Sequence, residues 1–276
     1  MRTKCREVFA GVLFGLVLSG TSLAQQPAAS AFGPGEQARY SVKYLGMTAG
    51  TAQVTVGAPM KQWGKDVWPI ISIAKSDASD AVWPIKQKFV TYWEDAQQRV
   101  LGSDLHADEN HKRRRVRVKM GEDGRTAQVV KQNEGAAPRE FTHEVPEGTL
   151  DVAGATFALR NRPLTVGHEY SYPVFTGSRS FLMKAKVERT ETLKTTLGSR
   201  EVFRVRVYTE FSGNLQANRD MVAWFTTDAS RLPVRVEADF ALGSVVAELT
   251  EYQPGSIVAR RDTMGPATAS SSSGGL

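Results

Sequence analysis

Residues 221–251 read MVAWFTTDASRLPVRVEADFALGSVVAELTE, and this stretch decides the fold class. Side chains alternate across an extended chain, so Met221, Ala223 and Phe225 share one side and Val222, Trp224 and Thr226 the other. Both sides are largely apolar, which predicts a strand covered on both faces. Thr227-Asp228-Ala229-Ser230 is a turn-forming cluster. Proline has no N–H to give to a ladder, so Pro233, in Arg231-Leu232-Pro233, is expected at a strand start or on an edge. Val234, Val236, Ala238 and Phe240 then alternate with Arg235, Glu237 and Asp239, the pattern of a half-buried strand with a charged wet face. Gly243-Ser244 breaks the run, and Val245, Ala247 and Leu249 resume it. The whole reads as a β-meander.

The same pattern extends upstream. Tyr40, Val42 and Tyr44 alternate with Arg39, Ser41 and Lys43, a turn is expected at Gly46 to Gly50, and Ala52, Val54 and Val56 complete a first hairpin. Strands are also expected at Val67–Ala74, Phe89–Trp93, Glu169–Phe175, Phe181–Arg189 and Glu201–Phe211. Leu150–Arg160 is the one stretch with helical character: Thr149 or Asp151 can cap it, and Pro163 lies just past its end. Val-Trp-Pro-Ile occurs at 67–70 and 82–85, which is too little for a repeat architecture. The expectation is an all-β fold, a strongly curved antiparallel sheet or incomplete barrel with one central helix near residues 150–160. That helix would pack on the concave side or close one end. One domain should span residues 33–253, between a flexible Ala/Pro/Gly-rich lead-in at 25–32 and a disordered polar tail at 254–276.

The first 24 residues stand apart. Arg2, Lys4 and Arg6 form a basic start, Val8–Leu18 is apolar, and Ser22-Leu23-Ala24 ends in the small residues a signal peptidase requires. The apolar run is too short for a comfortable bilayer span, and no later run in the mature chain is long enough. Export follows, with cleavage after Ala24 and a periplasmic or secreted destination. Cys5 is the sole cysteine and precedes the apolar run, so the mature chain has no disulfide, lipid-anchor cysteine, thiolate zinc site or cysteine nucleophile. About 250 mature residues suffice to stabilise such a chain by core burial. The formal charge is +6, and removing Arg2, Lys4, Arg6 and Glu7 with the leader leaves +4. A mildly basic exported chain suits contact with anionic envelope polymers or lipid headgroups. Nucleic acid is not expected as a partner, because no motif for it is present.

Residues 111–120, HKRRRVRVKM, are the most charged segment. As a strand they place Arg113, Arg115, Arg117 and Lys119 on one face and Arg114, Val116, Val118 and Met120 on the other. The first set is either a solvated face that guards against edge-to-edge pairing or a cationic ladder that binds phosphate or carboxylate groups of an anionic lipid or glycan. These four are the candidate ligand-binding residues. His106, Asp108, Glu109 and His111 form the densest group of metal-binding residue types, but they fall in what reads as a polar strand end or loop, so no metal site is assigned. There is no His-Glu-x-x-His pair, nucleophile elbow, phosphate loop or dinucleotide fingerprint, so no cofactor and no catalytic residue is assigned. Asp77, Asp80, Glu94 and Asp95 could supply a carboxylate pair for glycoside cleavage only across a cleft of defined width. Trp63, Trp68, Trp83 and Trp93 cluster early and read as core or as a sugar-stacking surface.

Three stretches together resemble the domain of unknown function 3108 family of exported bacterial envelope proteins. ARYSVKYLGMTAGTAQVTV resembles its opening hairpin. DVAGATFALRNRPLTVGHEY resembles its central helix with a Leu-x-x-Gly lead into the next strand. MVAWFTTDASRLPVRVEADFALGSVVAEL resembles its closing meander, marked by Trp224, Asp228, Arg231-Leu232-Pro233 and Gly243-Ser244. Residues 76–120 are more loosely similar, and the likeness spans roughly residues 33–253. It implies an all-β envelope domain with one helix and carries over no catalytic residue. Export, architecture and charge lead to the expectation of a non-enzymatic periplasmic binding or assembly factor for an envelope component such as lipid or lipid-linked glycan. The alternatives are an envelope polysaccharide or cell-wall hydrolase using carboxylates, and a purely structural envelope protein.

Overall fold

A computed structural model describes residues 30–76, 84–210, 221–240 and 243–256. The leader, Asp77, Asp80, Trp83, Phe211 and residues 257–276 of the tail lie outside the described residues. The chain runs through β1 (Gln37–Tyr44), β2 (Met47–Val56), β3 (Met60–Gln62), β4 (Lys65–Ser76), β5 (Ile85–Glu94), β6 (Arg99–Glu109), β7 (Lys112–Met120), β8 (Thr126–Asn133) and β9 (Arg139–Glu144). Helix α1 (Val152–Arg160) follows, then β10 (Glu169–Phe175), β11 (Ser180–Thr195), β12 (Gly198–Glu210), β13 (Met221–Thr226), β14 (Pro233–Phe240) and β15 (Gly243–Gln253).

Alternation and turn chemistry build two antiparallel meanders. Pairing of β15 with β1 fuses them into one sheet with β10 at one edge and β9 at the other, while β3 adds only to β4. The sheet does not close. After β9 the chain keeps one bond to the β8 end, Val145 N–H to the Arg125 carbonyl at 2.8 Å, and then crosses to the far edge. There Leu150 donates to the Pro173 carbonyl and accepts from the Phe175 N–H, both at 2.9 Å, a single parallel bridge across the gap. The result is the expected curved all-β sheet, an incomplete barrel, with one α-helix among the described residues.

Several local expectations hold, for the reasons given. Ala223 and Phe225 belong to the main core while Trp224 and Val222 pack into a second cluster, so both faces of β13 are covered. Pro233 starts β14. Asp151, not Thr149, is the helix cap. The second cluster joins Ala38, Tyr40, Val234 and Leu249 to Val202 and Trp224. The tip of the β11–β12 hairpin is tied over it by a 2.7 Å bond from Thr196 Oγ1 to the Leu249 carbonyl.

Three points differ. The first turn is the two-residue Leu45-Gly46, both with positive φ, so β2 starts at Met47 rather than after Gly50; a two-residue turn of this hand matches the twist of the strands it joins. Strands β6 and β9 carry too many polar residues to alternate legibly, and both form by pairing with neighbours. The lead-in expected to be flexible through residue 32 is ordered from Ser30 onward: Ala31 and Phe32 are fully buried in the main core. A phenylalanine at the end of an Ala/Pro/Gly run has apolar area to bury, and the open end of the barrel supplies the place. Its ring lies 4.5 Å from Phe157 and 6.0 Å from both Trp68 and Trp93.

Candidate functional site

Helix α1 lies inside the curved sheet against β5, β6 and β10. Gly154 makes this possible: a Cβ there would strike a Val100 methyl group of β6. At the N-terminus Asp151 Oδ1 accepts from the Gly154 N–H at 2.7 Å and Oδ2 accepts from Thr91 Oγ1 at 2.8 Å. Burial pushes the Asp151 carboxyl up to about 6 against the lowering effect of those hydrogen bonds. At the C-terminus Arg160, 1% exposed, makes a bidentate pair with Glu36 at 2.6 and 2.9 Å and donates to the Ser230 carbonyl at 3.0 Å. Its guanidinium also lies over the Phe32 and Phe157 rings. That pair is a structural clamp between the chain start, the helix and the closing meander.

Beneath the N-terminal turn of α1 is a cavity of about 620 Å³. Val54, Phe89, Leu105, Phe157 and Phe175 supply apolar walls, with Asp151 among them. Gln87 and Arg114 line it as well, and both donate to Glu109 Oε1, Arg114 at 3.0 Å. The same two residues also line a second groove of about 640 Å³, together with Lys86, Lys88, Arg113 and Arg115. The basic groove and the apolar cavity therefore meet at one rim, where β6 turns into β7.

The four predicted ligand residues share one face of β7, the face turned away from α1. Strand register sets Arg117 opposite Asp104, Arg115 opposite His106 and Arg113 opposite Asp108. Asp104 is 6% exposed and accepts from Arg115 at 2.7 and 3.1 Å and from Arg117 at 3.4 Å, with His106 Nε2 at 3.3 Å. Burial alone would raise its carboxyl, but the Arg115 bond and the surrounding positive charges outweigh burial and hold it below the usual carboxylate range. Arg113 pairs with Asp108 at 3.2 Å and with Glu134 at 3.4 Å. Lys119 makes no ion pair among the described residues.

Sequence reasoning passed over Arg114 and did not see Asp151 as part of a cavity. Arg114 was legible, with Lys112, as a cation on the same side of the strand as Val116 and Val118; Asp151 read as a cap, and only the fold puts a cavity beside it. His106 points outward while Glu109 lies on the inner rim, and among the described residues no three His, Cys, Asp or Glu side chains are grouped to hold a metal ion. Glu94 is held by Arg99 at 2.5 Å, and Asp95 accepts from Ser30 at 2.5 Å, Trp93 Nε1 at 3.1 Å and Gln98 at 2.9 Å. Trp93 is core, whereas Trp63 lies on the outer surface over Gly102, edge-on to Tyr92 at 5.3 Å.

The fold is shared with a β-barrel-like protein of domain of unknown function DUF1849 from Brucella abortus: TM-score 0.56, 11% identity, 82% of this chain and 99% of that chain covered. Weaker likenesses, at TM-scores of 0.33 and 0.30, are to a candidate lipoprotein from Parabacteroides distasonis at 10% identity and a candidate exported protein with a YmcC-like fold from Bacteroides fragilis at 9%. Each covers 82% of this chain and 99% of the other. None of the curated proteins matches the sequence. The family model described as protein of unknown function (DUF3108) matches residues 39–250, from β1 to β15, and the chain belongs to that family.

Proposed function

We propose that the protein acts outside the cytoplasm as a non-catalytic binding or assembly factor for an amphipathic envelope component, a lipid or lipid-linked glycan, whose apolar part occupies the cavity beneath α1. The observation that carries this reading is the cavity itself. Its volume of about 620 Å³ and mixed lining of aromatic and aliphatic side chains with a few polar groups are those of a small-molecule site. Apolar walls favour a hydrocarbon segment by roughly 25 cal/mol per Å² removed from water. Gln87 and Arg114 at the rim supply hydrogen-bond donors for a polar or anionic head. The basic leader with its short apolar run supports a destination where such molecules occur, and no described helix is long and apolar enough to cross a membrane.

The test is occupancy. Protein purified from an extracytoplasmic fraction, examined by native mass spectrometry and lipid extraction, is expected to carry a stoichiometric amphipath. Thr156→Trp would fill the cavity from the helix side and should abolish that occupancy with little change in melting temperature. Wild-type protein that carries no amphipath and takes up none from lipid vesicles would end this reading.

A further inference from the structure

The outer face of β4–β8 carries a dense row of cations, Lys86, Lys88, Arg113, Arg115, Arg117 and Lys119. In register across it lie Lys88, His106 and Arg115, and beside them Val90, Asp104 and Arg117. Asp104 and Asp108 neutralise part of the arginine charge and at the same time hold the guanidinium groups in place. Lys86, Lys88 and Lys119 make no ion pair among the described residues. Apolar side chains are interspersed: Ile73 is 40% exposed, and Trp63, 36% exposed, lies at the border with Tyr92. A soluble polyanion would be satisfied by cations alone. Cations set among exposed aliphatic groups, with a tryptophan and a tyrosine at the margin, match the layered chemistry of a bilayer surface. The face also runs over the β6–β7 rim into the cavity mouth, through Gln87 and Arg114.

We propose that this outer basic face, which includes Arg113, Arg115, Arg117 and Lys119, docks the protein onto an anionic lipid bilayer and brings the cavity mouth to the headgroup layer. The role assigned to the mouth rests on the cavity reading; the docking itself does not. The docked protein would take up or deliver its guest without moving it through water.

The experiment is vesicle flotation with the leader-free protein, using phosphatidylcholine vesicles with and without phosphatidylglycerol. Binding is expected only with phosphatidylglycerol and should fall with added salt. Lys88→Glu with Lys119→Glu is expected to weaken binding by at least about tenfold, while Lys194→Glu on β11 leaves it unchanged. Neither lysine of the pair has an ion pair to lose, so the fold should survive, and circular dichroism melting checks this. Equal binding to neutral vesicles, no binding to anionic ones, or a well-folded double variant that binds like wild type overturns the proposal. So does acidic polysaccharide binding that the double variant loses while vesicle binding is unaffected. Thr156→Trp should still float with anionic vesicles, so a failed cavity and a failed docking face give different results.

Discussion

Arg160 and Asp151 end the same helix with opposite electrostatic solutions. Arg160 is buried with a full carboxylate partner, so removing one member leaves an uncompensated charge. Arg160→Met is expected to cost about 3–5 kcal/mol in urea denaturation, and adding Glu36→Leu should recover most of it. Asp151 is buried without a cation, and burial raises its pKa to about 6 from the ordinary aspartate value of 3.8. The native state therefore holds the proton more tightly than the unfolded chain. The group's contribution to stability is greatest below pH about 4, declines as pH rises to about 6 and is flat above that. Asp151→Asn keeps a capping oxygen and removes this titration, so its stability relative to wild type should grow from pH 4 to 6 and exceed it at pH 7.5 by roughly 1–3 kcal/mol. A stability difference, variant minus wild type, that fails to grow between pH 4 and 6 would contradict the assignment. Asp151 was legible as a cap from its position before an apolar run. Its raised pKa was not, because burial depends on what the sheet places over it.

At the scale of elements, α1 shows why propensity alone misleads. Gly154 in a short helix looks like a weakness worth about 0.5–1 kcal/mol against alanine. Here it allows close approach to Val100, so Gly154→Ala should destabilise by roughly 1–3 kcal/mol instead of stabilising, as thermal melts would show. Gly102 does the same on the outer face, where a Cβ would meet the Val118 carbonyl oxygen and the Trp63 ring. Alternation identified β1, β7 and β14 because each has contrasting faces, and β13 was legible as a short run apolar on both. It failed for β6, where Ser103 and Asp104 are both buried and polar, and for β9, a short polar edge strand. Strand alternation puts Arg113, Arg115, Arg117 and Lys119 on one face of β7 and Arg114 on the other. The partners of that first face are Asp104 and Asp108 of β6 and Glu134 just past β8, and they follow from register, which a single sequence does not display.

For the whole molecule the decisive feature is the bridge from Leu150, in the connection between β9 and α1, to edge strand β10. Leu150→Pro removes the N–H that meets the Pro173 carbonyl and disturbs a buried leucine. It should loosen the seam before the rest of the fold, with hydrogen exchange accelerating first at Phe175 and along β10, while β1, β2 and β15 remain protected. Uniform acceleration across all strands would show that the seam is not a separate unit. Side chains also meet across the seam, with the His143 ring of β9 5.2 Å from the Phe175 ring of β10.

The sequence by itself determined the class of the molecule. Side-chain alternation, turn residues, a capped helix and a single cysteine, Cys5, are local or compositional properties, and they are readable because secondary structure answers to neighbours within a few residues. The tertiary structure alone decided that β15 returns to β1, that Phe32 and Glu36 are core partners of α1, that Arg114 rather than Arg113 or Arg115 reaches the cavity, and that Asp151 lines it. Each of these depends on contacts between residues far apart in the chain, and their energy comes from burial and register that exist only once the sheet has curled.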